Sequence, residues 1–302
     1  MTLLLEVRTG EMENLCWGYD FKWASPVKVL PAYSPTIVVS AFIAKGIRAY
    51  HEATGDAEAI DHLKSIAEFA LKDLPHHRDE SGLCISYSTV KKDICHNASL
   101  LAGELFASLF VLTGEESYRD LALDIARFSA SDQRTDGSWT YSKDLATGVD
   151  RVQIDFHQGY VTDSIRNIAR DLASDEFDEV VEKGTAYYRT QFTDEGRSYF
   201  RIPDQWPSDI HHQAQGAITF TASDLPKAAQ ILSYTIDNFQ DSDGAFFYRK
   251  HRYYMDKMKY MRWGQAWMLL AMSEYLLERT KAADELKDKA EKQKGNTLSA
   301  AH

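Results

Sequence analysis

Apolar residues recur at helical spacing along most of the chain. Ile60, Leu63, Ala67, Ala70 and Leu74 follow the three-and-four spacing of an amphipathic helix, as do Tyr118, Leu121, Ala122 and Ile125. Between such segments lie runs that are apolar on most sides, from Ala98 to Leu112 and from Ala266 to Leu277. That composition belongs to helices buried on both faces. Four turns punctuate the pattern, each after a helical stretch and before an aromatic or apolar patch: Asp79-Glu80-Ser81-Gly82, Gln133 to Trp139, Asp194-Glu195-Gly196 and Gln240 to Phe246. Their glycines, 82, 137, 196 and 244, are 55, 59 and 48 residues apart, a period that fits one helical hairpin with its loops.

A second series runs in step with the turns. His96-Asn97-Ala98-Ser99, His157-Gln158-Gly159-Tyr160, His212-Gln213-Ala214-Gln215 and Arg262-Trp263-Gly264-Gln265 align with a basic first column and a small third one. Tyr33-Ser34-Pro35-Thr36 is a degenerate first member. Gly55-Asp56 and Gly114-Glu115 mark inner-to-outer turns. Inner and outer helices therefore alternate, with about five inner helices. The expected fold is all-α, an (α/α) toroid or barrel of about five to six helical hairpins. A solenoid has the same periodicity, so ring closure rests on the alternation and the burial pattern. One domain is expected over 1–280, followed by a charged helical extension and flexible tail over 281–302, disordered beyond Gly295.

Composition narrows the function. The 302 residues carry a net charge of −11, which argues against a nucleic-acid partner. No apolar run approaches the ~20 residues of a membrane span, and Met1 to Gly10 does not read as a secretory signal. Cys16, Cys84 and Cys95 form no CxxC pair, which fits reduced thiols in a cytoplasmic protein. There is no GxGxxG, GxxxxGK[ST] or GxSxG segment, so no nucleotide cofactor is expected.

The turns at Gln133 to Trp139 and Gln240 to Phe246 resemble the Q-x-x-D-G-x-W element of squalene-cyclase-like toroids. More broadly, the chain resembles the six-hairpin glycosidase-like superfamily and the helical domains of N-acylglucosamine 2-epimerases and glucuronyl C5-epimerases. Trp17 to Phe21, Asp155 to Tyr160 and Tyr260 to Trp267 are similar to segments of toroid proteins encoded with polysaccharide-biosynthesis genes. The similarity covers most of Trp17 to Leu277 and implies carbohydrate chemistry. The acid motif D-x-D-D of terpene cyclases is absent.

In a toroid, equivalent helix starts converge around one end of a central funnel. That would gather His96, Asn97, His157, Tyr160, His211, His212, Gln215 and Arg262. Helix N-termini there also favour an anionic substituent. Any single histidine reads better as a polar cap or packing residue, so the weight lies in the aligned set. Trp17 and Tyr19 flank Asp20 together with Phe21 and Trp23, and Trp263 and Trp267 share one helix face. Indole faces suit sugar rings, and amides and imidazoles suit their hydroxyls; core filling is the alternative for the tryptophans.

Two chemistries are compatible with these residues. Hydrolysis needs two carboxyl groups, with Asp20 as the buried acid and Asp155 or Asp209 activating water. Asp163 lies within a helix, where Arg166 or Arg170 is an alternative partner. Epimerisation or elimination needs a base beside the substrate carboxylate, with His157, Tyr160, Asn97 and Arg262 as base, relay, amide and cation. His212 is a further catalytic candidate, while Trp17, Tyr19, His96, His211, Gln215, Trp263 and Trp267 are placed on the substrate. A zinc-dependent cyclase-like toroid is a third alternative through Cys95-His96, but the rest of a ligand set is missing and no metal is expected. The leading expectation is an enzyme acting on a sugar or uronate-containing oligosaccharide in glycan or polysaccharide biosynthesis or processing. The competing one is a non-catalytic glycan-binding or assembly component.

Overall fold

Thr36 opens the first long helix by accepting a hydrogen bond from the Val39 amide at 3.2 Å, and left-handed Gly55 closes it. The computed structural model describes residues 5–10, 12–24 and 29–299, with side chains as far as residue 285. Residues 1–4 of the amino-terminal stretch and 300–302 of the tail lie outside the described residues. Among the described residues the helices are α1 (Ile37–Thr54), α2 (Glu58–Glu68), α3 (His96–Thr113), α4 (Glu116–Ser131), α5 (His157–Asp171), α6 (Asp178–Arg189), α7 (Ile210–Thr221), α8 (Leu225–Phe239) and α9 (Trp267–Ser299). The backbone of the charged extension is thus helical to Ser299, past the expected break at Gly295. Single π-turns continue α2 (Phe69–Asp73) and precede α9 (Met261–Ala266).

The chain divides into two compact units, Met1–Gly184 and Thr185–His302. In the first, α3 packs against α1, α2, α4 and α5. It is buried along most of its length, as its apolar composition predicts. Leu63, Ile66, Phe69, Phe106, Ile125 and Ile165 fill this core. In the second, α7 packs against α8 and α9 around Tyr188, Phe192, Phe220, Ile231 and Phe239. Among the described residues, strands are confined to short ribbons in the loops. Those used below are β1 (Ser142–Asp144) with β2 (Asp150–Arg151), and β3 (Ser208–Asp209) with β4 (Arg249–Lys250) and β5 (Met255–Asp256).

The repeated turns are built alike. Their glycines, 82, 137, 196 and 244, all have positive φ, which a side chain resists. A glutamine at the next inner helix clamps three of them. Gln158 accepts from the Trp139 amide and donates to its carbonyl, both at 2.9 Å, and Gln265 does the same to Phe246 at 2.9 and 2.8 Å. Gln213 accepts from Ser198 at 2.5 Å and donates to the Gly196 carbonyl at 3.1 Å. This aligns Gln265, not Trp263, with Gln158 and Gln213. The fourth member of the series therefore moves by two residues, and Gly264 rather than Arg262 matches His157 and His212.

The clamp has a measurable consequence. Gln158→Ala leaves the amide and carbonyl of fully buried Trp139 without their partner. A stability loss of about 2–4 kcal/mol is expected from two stranded backbone groups, read as a lower urea midpoint.

Candidate functional site

In the first unit, the loop before α5 ends in Asp155-Phe156-His157. The Asp155 Oδ1 atom accepts from the His157 amide at 3.1 Å and from its ring Nδ1 at 2.6 Å. A carboxylate only accepts, so Nδ1 carries a proton, and in the neutral imidazole Nε2 is then the nitrogen with the lone pair. Asp155 is buried, and its other oxygen accepts from Gln153 at 2.7 Å. Gln153 in turn accepts from Arg151, at the end of β2, at 2.5 Å. Backbone and side chains thus fix the carboxylate, and the carboxylate fixes the imidazole. The His157 side chain keeps 16 % of its surface open to solvent.

Aromatic rings surround this dyad. Phe156 stacks on His157 at 4.3 Å between centroids, and Tyr141 meets it edge-on at 4.6 Å. The Arg151 guanidinium lies 4.8 Å from the Tyr141 ring centre. Tyr160, one turn along α5, is 6.1 Å from His157 and contacts Phe42 edge-on. The Tyr19 and Tyr87 hydroxyls are 3.1 Å apart. Burial holds the phenols of Tyr87, Tyr141 and Tyr160 well above their ordinary pKa, with neighbouring Tyr19 adding to each shift. They therefore stay protonated and able to donate hydrogen bonds.

These raised values link to stability. The unfolded chain ionises its tyrosines near the ordinary value of 10.0, while the buried phenols resist. Folded stability is thus intact below that pH and is lost as pH rises above it toward the folded values. Ultraviolet titration is expected to show one group of tyrosines ionising normally and a second group ionising only with alkaline unfolding. A single smooth transition in a still-folded protein would contradict the burial.

The second unit repeats the motif as Asp209-Ile210-His211. Asp209 caps α7 through the His211 amide at 2.9 Å and pairs with Arg249 at 2.7 Å. The His211 ring lies 3.3 Å from the Trp263 carbonyl through Nδ1, stacks on Trp267 at 5.1 Å and tilts against Trp263 at 5.0 Å. Trp267 donates its indole N–H to Gln215 at 3.2 Å. Trp263 is 44 % exposed and leaves an indole surface open. Arg262, in the wider π-turn, is also exposed. Burial, followed by the charge of Asp209, pushes the Tyr248 phenol up to about 12.

Several expected site residues stand elsewhere. His96 is buried with its ring turned to Ser129 at 3.3 Å and Asp132 at 3.4 Å, beside Phe128 of α4. Its hydrogen bond holds Asp132 below its ordinary pKa. His212 is buried, stacked on Tyr188 at 5.6 Å and edge-on to Phe192 at 5.2 Å. One residue along a helix turns the side chain by about 100°, so His211 faces the tryptophans and His212 the core. Trp17 is buried in the apolar core, which removes it as a stacking surface. Asp20 is exposed and lacks the enclosure expected of a buried acid. Asn97 is buried and accepts from the Cys95 thiol at 3.3 Å, so that thiol and His96 have separate partners. Asp163 pairs with Arg166 at 2.5 Å. No cluster of three His, Cys, Asp or Glu able to hold a metal occurs among the described residues. The repeated columns do not point to Tyr87, Tyr141, Arg151 and Gln153, which lie in loops outside them.

No family model and no curated protein matches the sequence. Solved structures do match in fold. A sugar epimerase from a ruminal bacterium superposes with a TM-score of 0.71 at 11% identity, covering 95% of this chain and 83% of the other. A D-mannose isomerase gives 0.68 at 11% identity, with 95% and 81% covered. The unsaturated glucuronyl hydrolase of Bacillus sp. GL1 gives 0.63 at 15% identity, with 78% and 73% covered. No described helix is long and apolar enough to cross a membrane. Alternating helices, repeated turns and these superpositions together identify the fold of the chain as an (α/α) toroid.

Proposed function

We propose that this chain is a carbohydrate-active enzyme that moves a proton on a sugar or uronate-containing oligosaccharide, in the manner of an epimerase or lyase. The observation that carries the reading is the Asp155–His157 pair at 2.6 Å, set among tyrosines and phenylalanine with the imidazole partly open to solvent. His157 Nε2 takes a proton from the carbon beside a carbonyl or carboxylate. The C–H electron pair moves into the enolate oxygen, which accepts hydrogen bonds from Tyr160 and Tyr19. Return of a proton from solvent to the opposite face gives an epimer; alternatively the enolate pair forms a C=C bond as the β-oxygen leaves as an alcohol with the proton from His157, which gives an unsaturated sugar. The second unit by itself offers a sugar the exposed indole face of Trp263 and the exposed cation of Arg262. Sugar epimerases, an isomerase and a uronate hydrolase among the similar folds support carbohydrate as the substrate class.

Proton transfer is favoured over hydrolysis because the buried carboxylates are committed. Asp155 is held by His157 and Gln153, and Asp209 by Arg249. The test is incubation with neutral and uronate-containing saccharides in heavy water, with mass spectrometry of the sugar. Deuterium at a ring or carbonyl-adjacent carbon is the expected result. A new reducing end without deuterium would replace the reading by hydrolysis, and binding without conversion would leave a glycan-binding component.

A further inference from the structure

The chain is acidic overall, yet residues 249–262 run against that balance. Arg249, Lys250, Arg252, Lys257, Lys259 and Arg262 stand there against one carboxylate, Asp256. The segment is the β4–β5 ribbon and its continuation into the π-turn before α9. It exposes Tyr253 at 85 %, together with Tyr254, Met258 and Met261. No Leu, Ile, Val or Phe occurs in it.

Cations and rings are interleaved on this surface. The Arg252 guanidinium lies 5.4 Å from the Tyr253 ring centre, His251 stacks on Tyr254 at 4.2 Å with planes 9° apart, and Lys257 is 5.6 Å from the Phe247 ring. Three of the cations are used by the fold: Arg249 by Asp209, Lys250 by Asn238, and Lys259 by both Asp241 and Asp243. Arg252 and Lys257 have ring contacts but no carboxylate partner among the described residues. Two cations without carboxylate partners, on a segment that exposes Tyr253 and Tyr254, fit a ligand that is both anionic and built of rings.

We infer that the β4–β5 ribbon is a docking surface for an anionic glycan chain, a polysaccharide containing uronates. Its carboxylates pair with Arg252 and Lys257, and its pyranose faces lie on Tyr253 and Tyr254. The inference rests on the carbohydrate reading above and adds the substrate class and a binding surface beyond the dyad. An anionic membrane would draw on Met258 and Met261 rather than on the tyrosine faces, and the vesicle titration below separates that case. In sequence the segment leads directly into Arg262 and Trp263, and Trp263 lies beside His211.

The test is calorimetric titration of the full chain with polygalacturonate oligomers, dextran, dextran sulfate and phosphatidylserine vesicles. Polygalacturonate is expected to bind with an affinity that falls with salt, and dextran far more weakly. R252A/K257A is expected to weaken the uronate polymer about tenfold and to flatten its salt dependence. Y253A/Y254A is expected to weaken it while keeping the salt dependence. All four side chains are on the surface, so both double variants should fold and process short saccharides at the wild-type rate. Absence of polygalacturonate binding, or wild-type binding by R252A/K257A, would overturn the inference. So would dextran sulfate or vesicles binding as tightly with Y253A/Y254A unaffected. Failure of the proton-transfer reading registers separately, in the deuterium assay with short saccharides.

Discussion

Replacing His157 by alanine is expected to lower deuterium incorporation into the sugar by about 10²–10⁴-fold while leaving the helical fold intact. The ring is partly exposed and rests on Phe156 and Tyr141, so its removal opens a solvent-accessible space rather than a core void. Asp155→Asn tests the other half of the dyad. The carboxylate fixes the imidazole tautomer, and an amide there can turn its N–H toward Nδ1 and present the wrong nitrogen to substrate. A loss in kcat of about 10²-fold with little change in KM is expected for such a positioning residue. His212→Ala supplies the contrast. Its ring fills the second unit's core between Tyr188 and Phe192, so melting temperature should fall while the rate per folded molecule holds. A rate loss at His212 with none at His157 would reverse the assignment.

The parts of the molecule written in periodicity are legible in the amino-acid sequence. The turn glycines at 82, 137, 196 and 244 and the helix-ending glycines at 55 and 114 all have the positive φ that makes glycine necessary. Side-chain direction is not legible in the same way. His211 and His212 are adjacent and chemically identical, and only the angle of α7 sends one to Trp267 and the other to Phe192. Arg262 falls into the basic column when residues are aligned by type, whereas the chain aligns by hydrogen bonding. The π-turn at Met261–Ala266 widens the backbone just there, and the Gln265 clamp gives the register. Asp155 shows the reverse case. Its two-residue spacing to His157, repeated by Asp209 and His211, is plain in the sequence. Its meaning depends on the aspartate being buried and the histidine partly open, which pattern alone does not supply.

The largest expected stability loss comes from one methyl group at Gly82. The residue has φ +136°, and a Cβ built there would stand 2.1 Å from the Asp124 carbonyl oxygen and 3.2 Å from the Phe128 amide nitrogen. Both obstacles are backbone atoms of α4, inside an intact helix, and neither can rotate away. Gly82→Ala therefore forces the turn off the helix and strains the strand that carries buried Leu83, Cys84 and Ile85. A loss of about 3–5 kcal/mol is expected, at the upper end for a single substitution. Gly244→Ala makes the matched comparison. It has φ +86° in the equivalent turn of the second unit, but nothing lies within 4 Å of its added Cβ. Only the left-handed conformation is then penalised, at about 1–2 kcal/mol. Urea denaturation of the two variants compares the terms: the loss at Gly244 measures backbone conformation alone, and the excess at Gly82 measures the close approach to α4 together with the strain of its wider φ. Equal losses would mean that the turn at Gly82 can stand away from α4 without cost, and that the packing of turn on helix does not hold this repeat together.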